Sequence, residues 1–152
     1  MKINLINSLM WRAFNALYNH FSTRRTQTEK IRESLTNLNQ TEIDELVKTY
    51  SDVPRDSELA IISSTANFNI FTYFTNRNLI DDRGHNRSRE LAQAISSGVS
   101  QEIINSTILC IYAIRCKYVH GSESQIINDE GLFHVSSVFL SDLLGKLLSK
   151  LA

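Results

Sequence analysis

Ile114-Arg115-Cys116-Lys117-Tyr118-Val119-His120-Gly121 closes a long apolar-periodic stretch, and its reading places the rest of the chain. The helix leading into it is predicted over Ser100 to Tyr118. Glycine commonly sits just past a helix end in a left-handed conformation. Gly121 is therefore the expected stop, and His120 the last position before it. Five residues of regular helix turn by ~500°, which leaves Arg115 and His120 about 140° apart rather than on one face. At a helix end the imidazole is freed from the spiral, and the dipole there favours its protonated form.

Outward from this stretch the sequence reads as helices. Pro54 is the only proline, and five glycines in 152 residues leave few breakers. A helix is expected from about Gly131 to Leu151 and a short one from Arg89 to Ser97. Between Asn76 and Arg89 lies the longest polar interruption, the expected mobile and insertion-tolerant loop. Ser57 to about Asn76 is expected as helix. Phe68 to Tyr73, rich in aromatic and β-branched residues, also fits a short strand, but no partner strand is evident. Ser51 to Arg55 is a break around Pro54. Thr41, with Asp44 in capping-box position, is expected to open the helix carrying Ile43, Leu46, Val47 and Tyr50. Thr26 to Asn39 reads as a polar helix with Ile31, Leu35 and Leu38 on its apolar side. In the first helix Ile3, Ile6, Met10, Ala13, Leu17 and Phe21 step by threes and fours, and Leu9, Trp11, Phe14 and Tyr18 widen that stripe. No repeat, low-complexity tract or internal boundary interrupts the pattern. The expectation is one all-α domain over 1–152, an up-and-down helical bundle with short additional helices.

Composition narrows the function classes. Apolar residues make up 42% and charged residues 21%, ordinary for a soluble domain. The formal net charge is zero, so no global field draws the chain onto nucleic acid, and any RNA contact must be local. Cys110 and Cys116 would stand ~9 Å apart along one helix, beyond disulfide reach, and unpaired thiols suit a reducing compartment. No run approaches roughly 18 consecutive apolar residues, and Met1 to Asn7 has no signal-peptide pattern. A cytoplasmic protein without a membrane partner is expected. There is no phosphate loop and no GxGxxG, and His20, His85 and His134 have no ligand companion at metal spacing, so neither cofactor nor metal is expected. The loop from Arg83 to Arg89 is locally basic and is read as solvated.

Arginine grips phosphate with a permanently charged planar fork, and histidine carries protons near neutral pH. Arg115 and His120 are thus the minimum kit for cutting RNA without a metal. One copy makes a thin site; two copies across a two-fold axis make a full one. Arg115-x4-His120-Gly121 resembles the Arg-x4–6-His signature of the HEPN superfamily, the higher eukaryote and prokaryote nucleotide-binding domains. Leu9-Met10-Trp11-Arg12-Ala13-Phe14-Asn15-Ala16-Leu17-Tyr18-Asn19 is similar to the opening helix of stand-alone bacterial HEPN proteins, including those called Apea-like.

The resemblance implies a homodimeric, metal-independent endoribonuclease that leaves 2′,3′-cyclic phosphate and 5′-hydroxyl ends. DNA, lacking the 2′-hydroxyl, would not be cut. It further implies a toxin or a defence or stress effector, with a protein antitoxin as a possible partner. Arg115 and His120 are the candidate catalytic residues. Lys117 is a candidate phosphate contact and Tyr118 a candidate stacking platform. Arg12 and Asn15, with Asn19, are polar positions on an apolar helix and are candidates for lining a cleft beside Arg115. The last two long helices are the expected shared face of the dimer. Cys116 departs from the polar residue that follows the arginine in many nuclease members, and is read as a buried small hydrophobe. The alternative is a non-catalytic HEPN-like binding module that pairs with a partner such as a nucleotidyltransferase antitoxin, or binds a nucleotide.

Overall fold

Seven α-helices account for most of the residues that the computed structural model describes, which are 2–54, 68–119 and 130–151, with side chains from 8–54, 68–116 and 131–151. They are α1 (Lys2–Phe21), α2 (Gln27–Leu35), α3 (Gln40–Ser51), α4 (Ile70–Thr75), α5 (Arg87–Ser97), α6 (Ser100–Val119) and α7 (Glu130–Leu148), with a closing 3-10 turn over Ser149–Leu151. Among the described residues there is no strand, only isolated antiparallel bridges between Val53 and Phe68 and between Ile80 and Asn86. The protein is all-α.

The α6 helix forms the centre. Every residue from 103 to 111 is buried, and from there to Cys116 only Tyr112 and Arg115 stay half-open. A helix that is apolar on all sides belongs inside a protein, and Ile103, Ile104, Ile108, Leu109, Ile111 and Ile114 point around its whole circumference. The polar residues among them bond along the helix: Thr107 donates to the Ile103 carbonyl at 2.7 Å and Gln101 donates to Asn105 at 2.9 Å. Helices α2, α3, α4 and α5 pack around α6, while α1 lies along α7 and touches α2. Phe139 of α7 meets the rings of Tyr50 on α3 and Phe71 on α4, and the Tyr50 hydroxyl donates to Asp142 at 2.9 Å. Over 103–111 the α6 helix is enclosed within the subunit. Among the described side chains of α6, those left open are Ser100 to Glu102 in its first turn and Tyr112 and Arg115 further on.

Several local expectations shift. On α1 the buried residues are Trp11, Phe14, Leu17 and Tyr18, whereas Ala13 is exposed and Leu9 is 54% exposed. The three rings stack edge to face, with centroids 5.3 Å apart for Trp11–Phe14 and 5.2 Å for Phe14–Tyr18. Aromatic rings bury more area than the alanine and methionine of the competing stripe, so they decide which way the helix turns. The Ile3 and Ile6 side chains lie outside the described residues. Helix α3 begins at Gln40, not at Thr41: Asn39 accepts from the Glu42 amide at 2.9 Å and Glu42 accepts from the Asn39 amide at 3.0 Å. Replacing Asn39 by alanine should cost about 1 kcal/mol. It should read as a lower urea midpoint at unchanged slope.

The helix expected from Ser57 to Asn76 is not continuous. Phe68 and Val53 exchange both backbone hydrogen bonds, at 2.8 and 2.9 Å, which holds Phe68 extended. Helix α4 starts only at Ile70, capped by Asn69. Residues 55–67 lie outside the described residues. The segment Asn76 to Arg89, expected to be mobile, is instead built around a buried carboxylate. Asp81, whose side chain is 1% exposed, accepts from the Arg83 and His85 amides at 2.9 and 3.0 Å and from Arg87 Nη2 at 2.8 Å. Gly84, at φ +83°, makes the turn that lets the chain fold back on it. Arg87 is therefore no solvated loop arginine. It is buried, paired with Asp81 and with Glu90 at 2.8 Å, and opens α5 two residues earlier than expected.

No run of the sequence is continuously apolar over a bilayer's width, but Gly131–Leu151 is long and apolar enough by composition to cross one. In this fold 56% of the most apolar part of that stretch is buried, as in a core helix.

Candidate functional site

Tyr112 and Arg115, half-open residues of α6, are three apart and so share one helix face. That face opens into a cleft of about 320 Å³, at the lower end of small-ligand sites. The opposite wall is α1, which contributes Trp11, Arg12, Asn15 and Tyr18. Gln27 and Asp82 close it, and Cys116 lies at its floor. Arg115 Nη1 donates to Ser8 Oγ at 3.0 Å, which ties the end of α6 to α1. The Trp11 and Tyr112 rings meet across the helices at 6.0 Å.

Three sequence candidates, Arg12, Asn15 and Arg115, are thus brought onto one cleft. Arg12 and Asn15 reach it because they lie three apart on the same side of α1. Asn19, one turn further, bonds to the Asn15 carbonyl and to Lys30, at 2.9 and 2.7 Å. Lys117 and Tyr118 continue α6, but their side chains lie outside the described residues, as does all of His120.

The cleft's chemistry follows from its burial. Tyr18 is pushed up to about 12, mainly because it is buried and further by the neighbouring Cys116. Its hydroxyl is hydrogen-bonded to the side-chain amides of both Asn15 and Gln27. A phenol has one proton, so one of those amides must present its NH2. Burial also raises Tyr112, which bonds to the Cys116 thiol. Burial raises Cys116 itself, against the lowering pull of that bond and of the Asp82 amide. A protonated, buried thiol is no nucleophile. Cys116 and Cys110 are both free and buried. The cleft therefore offers two permanent cations, one carboxylate (Asp82) and several neutral donors and rings; the guanidiniums and rings are groups that can hold a phosphate diester beside a base. Its tyrosines and its thiol keep their protons near neutral pH and so neither give nor take one there.

A smaller cleft adjoins this one and shares Gln27, Asp82 and Tyr112 with it. It is lined by Arg83 and His85 from the Asp81 loop. Sequence reasoning passed over Tyr112, whose signal was its three-residue step from Arg115, and over the Asp81-x3-His85 spacing. Among the described residues no three His, Cys, Asp or Glu side chains converge as a metal site would require. Comparison with known proteins finds no matching family model, no matching curated protein and no matching solved structure.

Proposed function

We propose that this chain is a HEPN-like, metal-independent endoribonuclease, acting in the cytoplasm as a homodimer and serving as a toxin or a defence or stress effector. The observation that supports it is the meeting of Arg12 and Arg115 on one cleft, at the helix end where the sequence runs on to His120. In this reading the two guanidiniums hold the non-bridging oxygens of a phosphodiester and stabilise the charge that gathers on them. His120 takes the proton of the 2′-hydroxyl as that oxygen attacks phosphorus. Tyr112 and the Arg12–Asn15 wall position the neighbouring nucleotide.

A partner copy would add its own arginine and histidine across a two-fold axis. The buried, protonated Cys116 sits below the substrate and takes no part in the chemistry, so its departure from the family's polar residue is compatible with activity.

The test is incubation of purified protein with mixed single-stranded RNAs in the presence of EDTA. Cleavage to 2′,3′-cyclic phosphate ends, with DNA of the same sequence untouched, is the expected result. Intact RNA throughout would overturn the nuclease reading and favour the binding module that pairs with a partner protein.

A further inference from the structure

The reaction needs a second proton carrier, to protonate the 5′ oxygen as it departs. The smaller cleft supplies a candidate whose orientation is already set. Asp81 Oδ1 accepts from the Arg83 and His85 amides, and Oδ2 accepts from Arg87 Nε and Nη2, at 3.0 and 2.8 Å. The His85 ring faces the same Oδ2 through Nδ1, at 3.2 Å. Burial works against the charge on Asp81, but the two amides and the Arg87 guanidinium outweigh it and hold the carboxyl below its usual range.

An ionised carboxylate only accepts, so His85 must bring a proton on Nδ1 to meet it. This fixes the ring's tautomer and angle. Nε2, on the opposite edge of the ring, is the nitrogen left to exchange protons. The ring is not sealed: the side chain is 54% exposed and lines the cleft that joins the Arg115 cleft along Tyr112. Arg83 lines it too, a further cation for a chain of phosphates, as does the Asp82 carboxylate that both clefts share.

Building on the RNA-cleavage reading above, we propose that His85 of the same subunit, held by Asp81, is the general acid that protonates the leaving 5′ oxygen. The substrate is a single-stranded RNA whose scissile phosphate lies where the two clefts meet at Tyr112, with Arg115 on one side and His85 on the other. The 2′-oxygen forms its bond to phosphorus and its proton passes to the base. The P–O5′ bond breaks, and the proton on His85 Nε2 goes to O5′. The products are a 2′,3′-cyclic phosphate and a 5′-hydroxyl. Nothing is oxidised or reduced and no water is consumed. The base releases one proton to solvent and His85 takes one back.

The experiment uses the full chain and two RNA oligonucleotides, one ordinary and one with sulfur in place of the bridging 5′ oxygen at the cleaved linkage. A thiolate leaves without being protonated. His85→Ala and His85→Gln should each cut the ordinary RNA ~10²–10⁴-fold more slowly than wild type, yet cut the sulfur-bridged RNA at close to the wild-type rate. Arg115→Ala should be slow on both, because charge stabilisation is needed with either leaving group. Equal slowing of the His85 variants on both substrates would assign His85 to binding and overturn the proposal. Wild-type rates on ordinary RNA would overturn it while leaving the nuclease reading standing. A wild-type protein that cuts neither RNA would remove both.

Discussion

Alanine at Arg115 or at His120 is expected to lower the rate of RNA cleavage by about 10²–10⁴-fold, the range typical for losing a charge-stabilising or proton-transferring group. The Arg115 guanidinium lies half-open on the cleft, bonded to Ser8. Arg115→Lys separates charge from shape. Lysine keeps the cation but not the planar fork that matches two phosphate oxygens, so a rate between wild type and alanine is expected. Initial rates on one RNA, beside thermal midpoints for each variant, make the measurement. Cleavage by Arg115→Ala at the wild-type rate would remove this cleft from the chemistry. An unchanged rate in His120→Ala would remove the motif as its source.

The largest effect on stability is expected at Asp81. With alanine there, the buried Arg87 loses its inner partner and two backbone amides lose their acceptor. Breaking a buried pair by removing one side costs about 3–5 kcal/mol. In a domain of this size that amounts to a fall of about 10–15 °C in the thermal midpoint. The carboxyl titrates lower in the folded chain than in the unfolded one. Its contribution is therefore complete above the unfolded value of about 3.9 and fades as pH falls through the folded value. Wild type should lose stability on acidification below about pH 4 more steeply than Asp81→Asn, and the gap between them should close. A midpoint for Asp81→Ala within a degree or two of wild type would show that the loop does not depend on this carboxylate.

What could be read from the sequence follows the physics of each segment. Helix α6 was legible because its apolar residues run on without a breaker until Gly121. Its burial on every side was not. An all-round apolar helix and a one-sided one differ only in how many neighbours arrive, and that is a tertiary matter. The α3 cap was misplaced by two residues because both Asn39-x2-Glu42 and Thr41-x2-Asp44 fit the capping pattern, and only the helix start decides between them. The Asn76–Arg89 segment looked mobile because its polar residues are normally solvated. One buried aspartate with five donors reverses that, and composition does not register it. Arg12 and Asn15 were placed beside Arg115 by a sound rule, that polar residues on an apolar helix need a reason to be there. Tyr112 was missed because a tyrosine in such a helix is as well explained by packing.

A helix gripped on all sides behaves as a fixed post. To roll or slide, α6 would have to empty the space around Ile104, Ile108, Leu109 and Ile111 at once, and close-packed interiors resist that strongly. Arg115, one turn beyond, inherits that immobility. Any give needed to admit a ligand must then come from the rim, through the α1 wall or the short segment around Gly84, while the guanidinium stays where the scaffold has set it.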